Sequence, residues 1–395
     1  MEIASKLRIA IAGLGNMGLQ HIQTVSALPR ATLAGICDVD QGRLERAGAA
    51  TPAPRYRDYA TMLEREKPDA VLIATPHYDH TGMAIEAFRR GMHVLVEKPV
   101  GVHGLDVRRT IAAHEDARRK LPGLVFAAMF NQRTHGHYRK IKALLDEGEL
   151  GRLVRVTWIV TDWFRSQRYY DSGGWRATWK GEGGGVLLNQ CPHNLDLFQW
   201  FAGMPDRITG FASLGKHHRI EVEDEVTALF EYRTGTVGHF VTTTGESPGT
   251  NRLEIVGENG KLVLEDGRLV FHRNRSSMMK FIETSPTSFD KVECWRIDVP
   301  FQHHGEGGHR HIMENFVAAV LDGSPLIAPA AEGLNSVLMA NAILHSSLGG
   351  HRPVDLPMDE AGFAKELEGL IARSAIAEKT VVPTVVDDMT KSYGR

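Results

Sequence analysis

Over its first 130 residues the chain alternates two kinds of segment, and few folds accommodate that alternation. The short apolar runs "LRIAIAG", "TLAGICD", "DAVLIAT", "HVLVEK" and "LVFAAMF" are separated by longer stretches such as "MGLQHIQTVSAL", "YATMLERE" and "HTGMAIEAFRRG". Apolar residues recur in the longer stretches at helical spacing, whereas the short runs are apolar without a break. Unbroken apolar strands need cover on both faces, and strands joined through helices run parallel. The expected class is α/β, with a doubly wound parallel sheet at the N-terminal end.

Directly after the first strand, "GLGNMG" places Gly13, Gly15 and Gly18 around Asn16 and Met17, ahead of a helical stretch. Alone the G-x-G-x-x-G spacing is weak; between a strand and a helix it is the turn of a Rossmann dinucleotide site. There the first glycine permits the turn, the second lets backbone approach a pyrophosphate, and the third lets helix and strand pack closely. The helix start offers unpaired N–H groups to the phosphates. Asp38 closes "LAGICD" where a carboxylate accepts from a ribose diol and repels a 2′-phosphate. NAD is favoured over NADP, with nearby Arg43 keeping NADP open. Two further strand ends face the same edge: Thr75-Pro76, leading to His80, and Glu97-Lys98-Pro99. Residues 75 to 80 should line the cofactor cleft, with His77 and His80 outside the catalytic set. The X-Pro bond restricts Lys98 to extended geometry, and a cation at a buried strand end needs a reason to be there.

"GGGVLLNQCPHNLDLFQWF", residues 183–201, reads as three glycines and an apolar strand giving way to a helix. Pro192 suits a first helical turn, and Gly203 a stop. His193 and Asp196 then share a face, so Asp196 is expected to fix the imidazole tautomer or to anchor nearby backbone.

The order "GLGNMG", Asp38, "ATP", "EKP" and "GGGVLLNQCPHNLD" resembles the glucose-fructose oxidoreductase, inositol dehydrogenase and rhizopine-catabolism dehydrogenase family. The resemblance covers nearly the whole chain. It implies an NAD(P)-dependent oxidoreductase that moves a hydride between the nicotinamide and a secondary hydroxyl of a sugar, sugar derivative or cyclitol. Carried over by position, the family lysine falls on Lys98 and its histidine on His193, whereas Asn189 stands where many members have aspartate. An asparagine orients a hydroxyl but accepts no proton. The resemblance therefore makes Lys98, His193 and Asn189 the catalytic set: His193 carries the proton, Lys98 assists, and Asn189 positions the substrate. Two other readings fit the same motifs: an NAD-dependent glycoside-cleaving enzyme with transient oxidation, and a non-catalytic dinucleotide-responsive regulator.

From residue 151 the texture changes to strands such as "GRLVRVTWIVTDWF" and "VTALFEYRTGTVGHFVTTT", with "ENGK" and "EDGR" as hairpin connections. A second α/β domain with a large open, mostly antiparallel sheet is expected over 131–356, after a nucleotide domain at 1–130 and before an extension at 357–395. The resemblance implies that the open face packs on another copy, giving a homo-oligomer, dimer or tetramer. Aromatic faces stack on sugar C–H surfaces, which makes Trp163, Tyr169, Trp175 and Arg176 substrate-wall candidates beside Lys98, Asn189 and His193. "FQHHGEGGHRH" gathers His303, His304, Glu306, His309 and His311 without a zinc-site spacing. No metal is expected there, and His304 or His309 stays open as a substrate contact.

Lys plus Arg number 46 against 48 Asp plus Glu, a net charge of −2, so no field holds nucleic acid or anionic lipid. The expected partner is a small sugar or polyol. Cys37, Cys191 and Cys294 match no disulfide or thiolate-metal pattern, and no run reaches the length of a membrane span, so a cytoplasmic setting is expected.

Overall fold

The structure, a computed structural model, describes residues 6–302 and 308–374. It opens with β1 (Leu7–Ala12), α1 (Asn16–Ala27), β2 (Ala31–Cys37), α2 (Gln41–Gly48), β3 (Arg55–Tyr56), α3 (Tyr59–Glu66) and β4 (Ala70–Ile73). Then follow α4 (His77–Arg89), β5 (His93–Val96), α5 (Gly104–Lys120) and β6 (Phe126–Ala128). The six strands form one parallel sheet in the order β3-β2-β1-β4-β5-β6. Chain order reverses between β1 and β4, which opens a crevice at their carboxyl ends. Ile9, Ile11, Val71, Leu72, Val94 and Leu95 are fully buried, as strands covered on both faces require. Each such side chain contributes roughly 1.5–3 kcal/mol of burial before chain entropy is counted.

A 3-10 turn (Asn131–Thr134) and α6 (Gly136–Asp146) lead to the second sheet. Its first strand is β7 (Leu153–Val160), followed by α7 (Gln167–Asp171), α8 (Val186–Asn189) and α9 (Pro192–Ala202). The meander β8 (Arg207–Leu214), β9 (Glu223–Glu231), β10 (Val237–Thr243), β11 (Asn251–Gly257), β12 (Gly260–Glu265) and β13 (Arg268–Asn274) comes next. The remaining elements are α10 (Met278–Thr284), β14 (Cys294–Asp298), α11 (Gly308–Asp322), α12 (Gly333–Leu348), β15 (Val354–Asp355) and α13 (Glu360–Ala372).

The sheet order among the described residues is β14-β13-β12-β11-β7-β10-β9-β8-β15. Only the β7–β10 pair runs parallel there. Gly257 pairs with Gly260 and Glu265 with Arg268, so "ENGK" and "EDGR" are the two-residue hairpins expected of them. One face packs against the apolar helix α12, whose Ser346 hydroxyl accepts from the Gly210 amide of β8 at 2.9 Å. Across the other face runs the row Leu229, His239, Thr157, Glu254, Val263 and Val270, mostly half-exposed. A groove of about 500 Å³ lined by Arg252, Lys261, Glu265 and His272 lies on this same sheet.

One expectation fails locally. "VLLN" is not a strand but the short helix α8. Four apolar residues do not distinguish strand from buried helix. Here Glu223 decides: its carboxylate accepts from the Leu187 amide at 3.0 Å, and a Cβ at Gly185 would stand 1.9 Å from the Glu223 carbonyl oxygen. The chain is thus pressed against the start of β9 and turns.

Candidate active site

At the crevice, Gly13 takes φ +90° and lies so close to β4 that a Cβ would meet the Ala74 carbonyl oxygen at 2.4 Å. A Cβ at Gly18 would meet the Gly13 oxygen at 2.0 Å, so α1 starts hard against its own turn. At Gly15 a Cβ meets nothing within 4 Å, and this open side of the loop fronts the first turn of α1, Asn16 to Gly18. Asp38 is buried beside it, accepting from the Leu14 amide at 2.8 Å and the Asp40 amide at 2.9 Å, with the Arg43 guanidinium 3.6 Å away. An open glycine turn, a helix start and a fixed carboxylate one strand over fit a dinucleotide with an unphosphorylated ribose.

Thr75 and Pro76 follow the end of β4 at the same edge, and Pro76 stands at the N-cap of α4. His80 and Glu97, expected to face a cofactor, bond to protein groups. His80 is buried with its two ring nitrogens 2.7 Å from the Pro99 oxygen and 2.8 Å from the Thr75 oxygen, tying two strand-end loops together. Burial lowers its pKa even though both carbonyls favour the charged ring. The Glu97 carboxylate sits 2.7 Å from His21 Nε2 of α1 and accepts from the Lys98 amide at 3.2 Å. Both residues shape the crevice floor from below.

Lys98 turns away from that floor. Its ammonium donates to the backbone carbonyl of Asn189 at 2.7 Å, so the end of β5 meets the end of α8. The Lys98–Pro99 peptide is cis. Burial lowers the Lys98 pKa, opposed by Glu97 and Glu182 and reinforced by Arg176 and Arg165.

Asn189 is engaged on all sides. Its side-chain amide donates to Glu182, and its side-chain oxygen accepts from the Tyr169 hydroxyl at 3.3 Å. The amide expected to position a substrate hydroxyl is thus held by Glu182 and Tyr169.

Three residues past the end of α8, Pro192 starts α9 and His193 occupies its first turn. His193 is buried, edge-on to Phe130, and its Nδ1 has no hydrogen-bond partner among the described residues. Burial first, and then the charge of Lys98, hold its pKa well below the ordinary histidine value, so the ring is neutral and able to accept a proton.

Asp196 does not serve His193. Both its oxygens accept from Arg133, at 2.7 and 2.6 Å, and the same guanidinium reaches Glu332 at 2.5 Å. A fully buried carboxylate is retained only when paired, and the arginine fork fits it bidentately. Asp196 therefore anchors α9 to the turn at 131–134.

The four wall candidates assemble into a ladder. Arg165 stacks over Trp163 and Tyr169, and Arg176 over Tyr169 and Trp175, with ring distances of 4.7 to 5.7 Å. Trp175 meets His77 edge-on at 5.5 Å, and the Arg176 guanidinium donates to the Tyr169 hydroxyl at 2.9 Å. Trp163 is buried deeper than a wall residue needs to be, with its indole N–H unpartnered among the described residues. Composition pointed to the loop but not to Arg165, which interleaves it.

His309, at the start of α11, lies 5.8 Å from the His21 ring, with the Asn131 amide 3.3 Å from its Nδ1. Burial pushes its pKa down to about 4. His303, His304 and Glu306 lie outside the described residues. Sequence reasoning missed His21, Arg133, Arg165 and Glu182. Only His21 carried a usable signal, one helical turn beyond Gly18 on the face that packs on the sheet.

Comparison with known proteins bears on the same regions. Residues 7–121 match the oxidoreductase family's NAD-binding Rossmann fold, and residues 138–263 the GFO/IDH/MocA C-terminal domain. Inositol 2-dehydrogenase 2 of Saccharopolyspora erythraea is 25% identical over 365 residues, spanning 91% of this chain and 98% of that protein. The scyllo-inositol 2-dehydrogenase (NAD(+)) of Bacillus subtilis is 24% identical over 317 residues, 76% of this chain and 86% of its own. Among solved structures, the WlbA dehydrogenase from Bordetella pertussis, in complex with NADH and UDP-GlcNAcA, superposes with a TM-score of 0.75. It is 27% identical and covers 90% of this chain and 100% of its own.

Proposed function

The chain belongs to the GFO/IDH/MocA oxidoreductase family, with an NAD-binding Rossmann domain, and from that premise we propose that it oxidises a secondary hydroxyl of a sugar, sugar derivative or cyclitol, reversibly. The observation that carries this reading is the meeting of Lys98 with the α8–α9 segment: its ammonium rests on Asn189, four positions before a neutral, buried His193.

Gly13 to Gly18, Asp38, Thr75 and Pro76 would hold the dinucleotide, and NAD supplies the hydride acceptor there. His193 takes the hydroxyl proton as the carbon gives up its hydride. The Lys98 ammonium donates to the same oxygen and stabilises the negative charge that develops on it. Asn189 keeps Lys98 in place, and Tyr169, Trp175 and Arg176 offer a rigid face for a polyhydroxylated ring. Asp38, already fixed by the Leu14 and Asp40 amides, disfavours a 2′-phosphate and supports NAD over NADP.

The names of the relatives support a polyhydroxylated ring as substrate: two are inositol dehydrogenases, and the WlbA complex holds a nucleotide-linked sugar acid. The half-exposed outer face of the second sheet supports packing against another copy, and the three free cysteines suit a reducing cytoplasm. Among the described residues no helix is long and apolar enough to cross a membrane.

The test is a spectrophotometric screen for NADH formation over inositols, aldoses, anhydrosugars and disaccharides, with NADP in parallel. Cleavage of an aryl glycoside without NADH accumulation would instead favour transient oxidation, and ligand-driven partner association without turnover would favour a regulator.

A further inference from the structure

Beside the Lys98–Asn189 contact stands a carboxylate that the chemistry above does not use. Glu182 is 1% exposed, in the loop just before the glycine run. One of its oxygens accepts from the Asn189 side-chain amide, and the other accepts from the Ala177 amide at 2.5 Å. Its backbone carbonyl lies 3.1 Å from His77 Nδ1 at the start of α4. Burial raises the Glu182 carboxyl above the usual carboxylate range, and the Arg176 and Lys98 cations together with the Ala177 and Asn189 amides work against that shift in favour of the charged form.

Residue 189 joins the acid to the lysine with both of its polar ends. Its side-chain amide donates to Glu182, while its backbone carbonyl accepts from the Lys98 ammonium. We propose that Glu182 is the positioning acid of this site: its carboxylate balances the Lys98 charge and, by gripping the Asn189 amide, fixes the carbonyl on which Lys98 rests. The proposal depends on the reading of Lys98 as the cation that serves the reacting oxygen.

The surroundings make Glu182 matter. Lys98 also faces Glu97 from its own strand end, and the cations Arg165 and Arg176 from the loop above. His193 and His309 reach the same region from α9 and α11, His77 from α4, and Cys191 from between α8 and α9. Burial keeps all three imidazoles neutral and raises the thiol to about 12, so none of these four carries charge. Glu97, which also bonds to His21, and Glu182 are the two carboxylates that hold the Lys98 charge up against burial and the two guanidinium groups. Glu223, the other buried acid near Glu182, is held up at about 7 by burial and spends an oxygen on the Leu187 amide.

The experiment reads Lys98 without substrate. Trace acetylation of the full-length protein with acetic anhydride across pH 6 to 10, followed by mass spectrometry of the Lys98 peptide, gives the titration of its ammonium. Glu182→Gln keeps the shape and removes the charge, and is expected to move that titration down by about one pH unit or more. Glu182→Gln combined with Asn189→Asp returns a carboxylate to the other end of the same hydrogen bond and is expected to move it back at least half-way.

An unchanged Lys98 titration in a folded Glu182→Gln protein overturns the proposal. If that single variant does not fold, a folded double variant that titrates like the wild type supports it, and one that titrates a full pH unit lower overturns it. Because no turnover is measured, a chain that oxidised no polyol would sink the functional reading and leave this result standing.

Discussion

The Lys98 ammonium donates to the Asn189 carbonyl 91 residues away, so the last strand end before the crevice closes on the helix that precedes His193. With the His77 ring against the Glu182 carbonyl and the Tyr78 hydroxyl donating to the Trp179 carbonyl, this contact joins the nucleotide-binding half to the half that carries His193. Lys98→Met keeps the aliphatic stem and removes the donor. It is expected to lower kcat about a hundred- to a thousandfold, the range for losing one donor to a developing oxyanion. NAD affinity, read by fluorescence titration, should change little, because the glycine turn and Asp38 do not touch this side chain. A kcat within a few-fold of wild type would remove Lys98 from the chemistry.

His193→Ala is expected to reduce kcat/KM by roughly two to four orders of magnitude, the usual contribution of a general base. The pH profile carries a further signature. Burial, then Lys98, hold the imidazole pKa well below 6.5, so the base stays deprotonated as the pH drops past the point where an ordinary histidine would charge. Activity of the wild type should persist at pH 6 and decline only at clearly lower pH, while the residual rate of His193→Ala lacks that acid limb. A limb centred at 6.5 or above would contradict the burial of this ring.

The fold was legible where one residue type repeats a physical constraint. Unbroken apolar runs announced β1, β2, β4, β5 and β6, and the glycine turn announced where the crevice opens. The two-residue β3 and the polar α2, "QGRLERAG", had no such pattern; α2 is specified by the Asp40 side chain accepting from the Arg43 amide. Within the site, sequence pointed to Lys98, Asn189 and His193 but not to the side chains that hold their segments in place. Asp196 lies three residues from His193, yet its partner Arg133 is 63 residues away, and no spacing rule encodes a long-range fork. Glu182 was hidden for the same reason: its link to Lys98 runs through the carbonyl of a third residue.

Arg133 sits between Asp196 and Glu332 with almost no exposure, holding α9 against the 131–134 turn. Removing one partner of a buried pair strands the other charge, so Arg133→Met is expected to lower the unfolding free energy by about 3–5 kcal/mol in urea titrations. Arg133→Met with Asp196→Leu removes both charges and should recover a large part of that loss. A single variant as stable as the wild type would show that Asp196 finds solvent or another donor.

His21 and Glu97 form the buried pair on the crevice floor, and their contribution is expected to depend on pH. Burial alone would raise the Glu97 carboxyl; the hydrogen bond and charge of His21, aided by His309 and Lys98, hold it at about 2 against 4.5 in the unfolded chain. Between those values the unfolded state binds the proton and the folded state does not. The pair's stabilisation is therefore fully present above about pH 4.5 and drains away as the pH falls toward 2. His309, held at about 4, adds an earlier decline that begins as the pH drops below 6.5, where the unfolded imidazole takes up its proton first. His21→Gln isolates the pair, since it keeps a hydrogen-bond donor for Glu97 and removes the imidazole. The variant is expected to be less stable than wild type by roughly 1–3 kcal/mol at pH 7, with the gap closing in denaturant titrations as the pH is lowered and Glu97 becomes neutral in both proteins. A gap that stays constant down to pH 3 would mean that the two side chains contribute through packing alone.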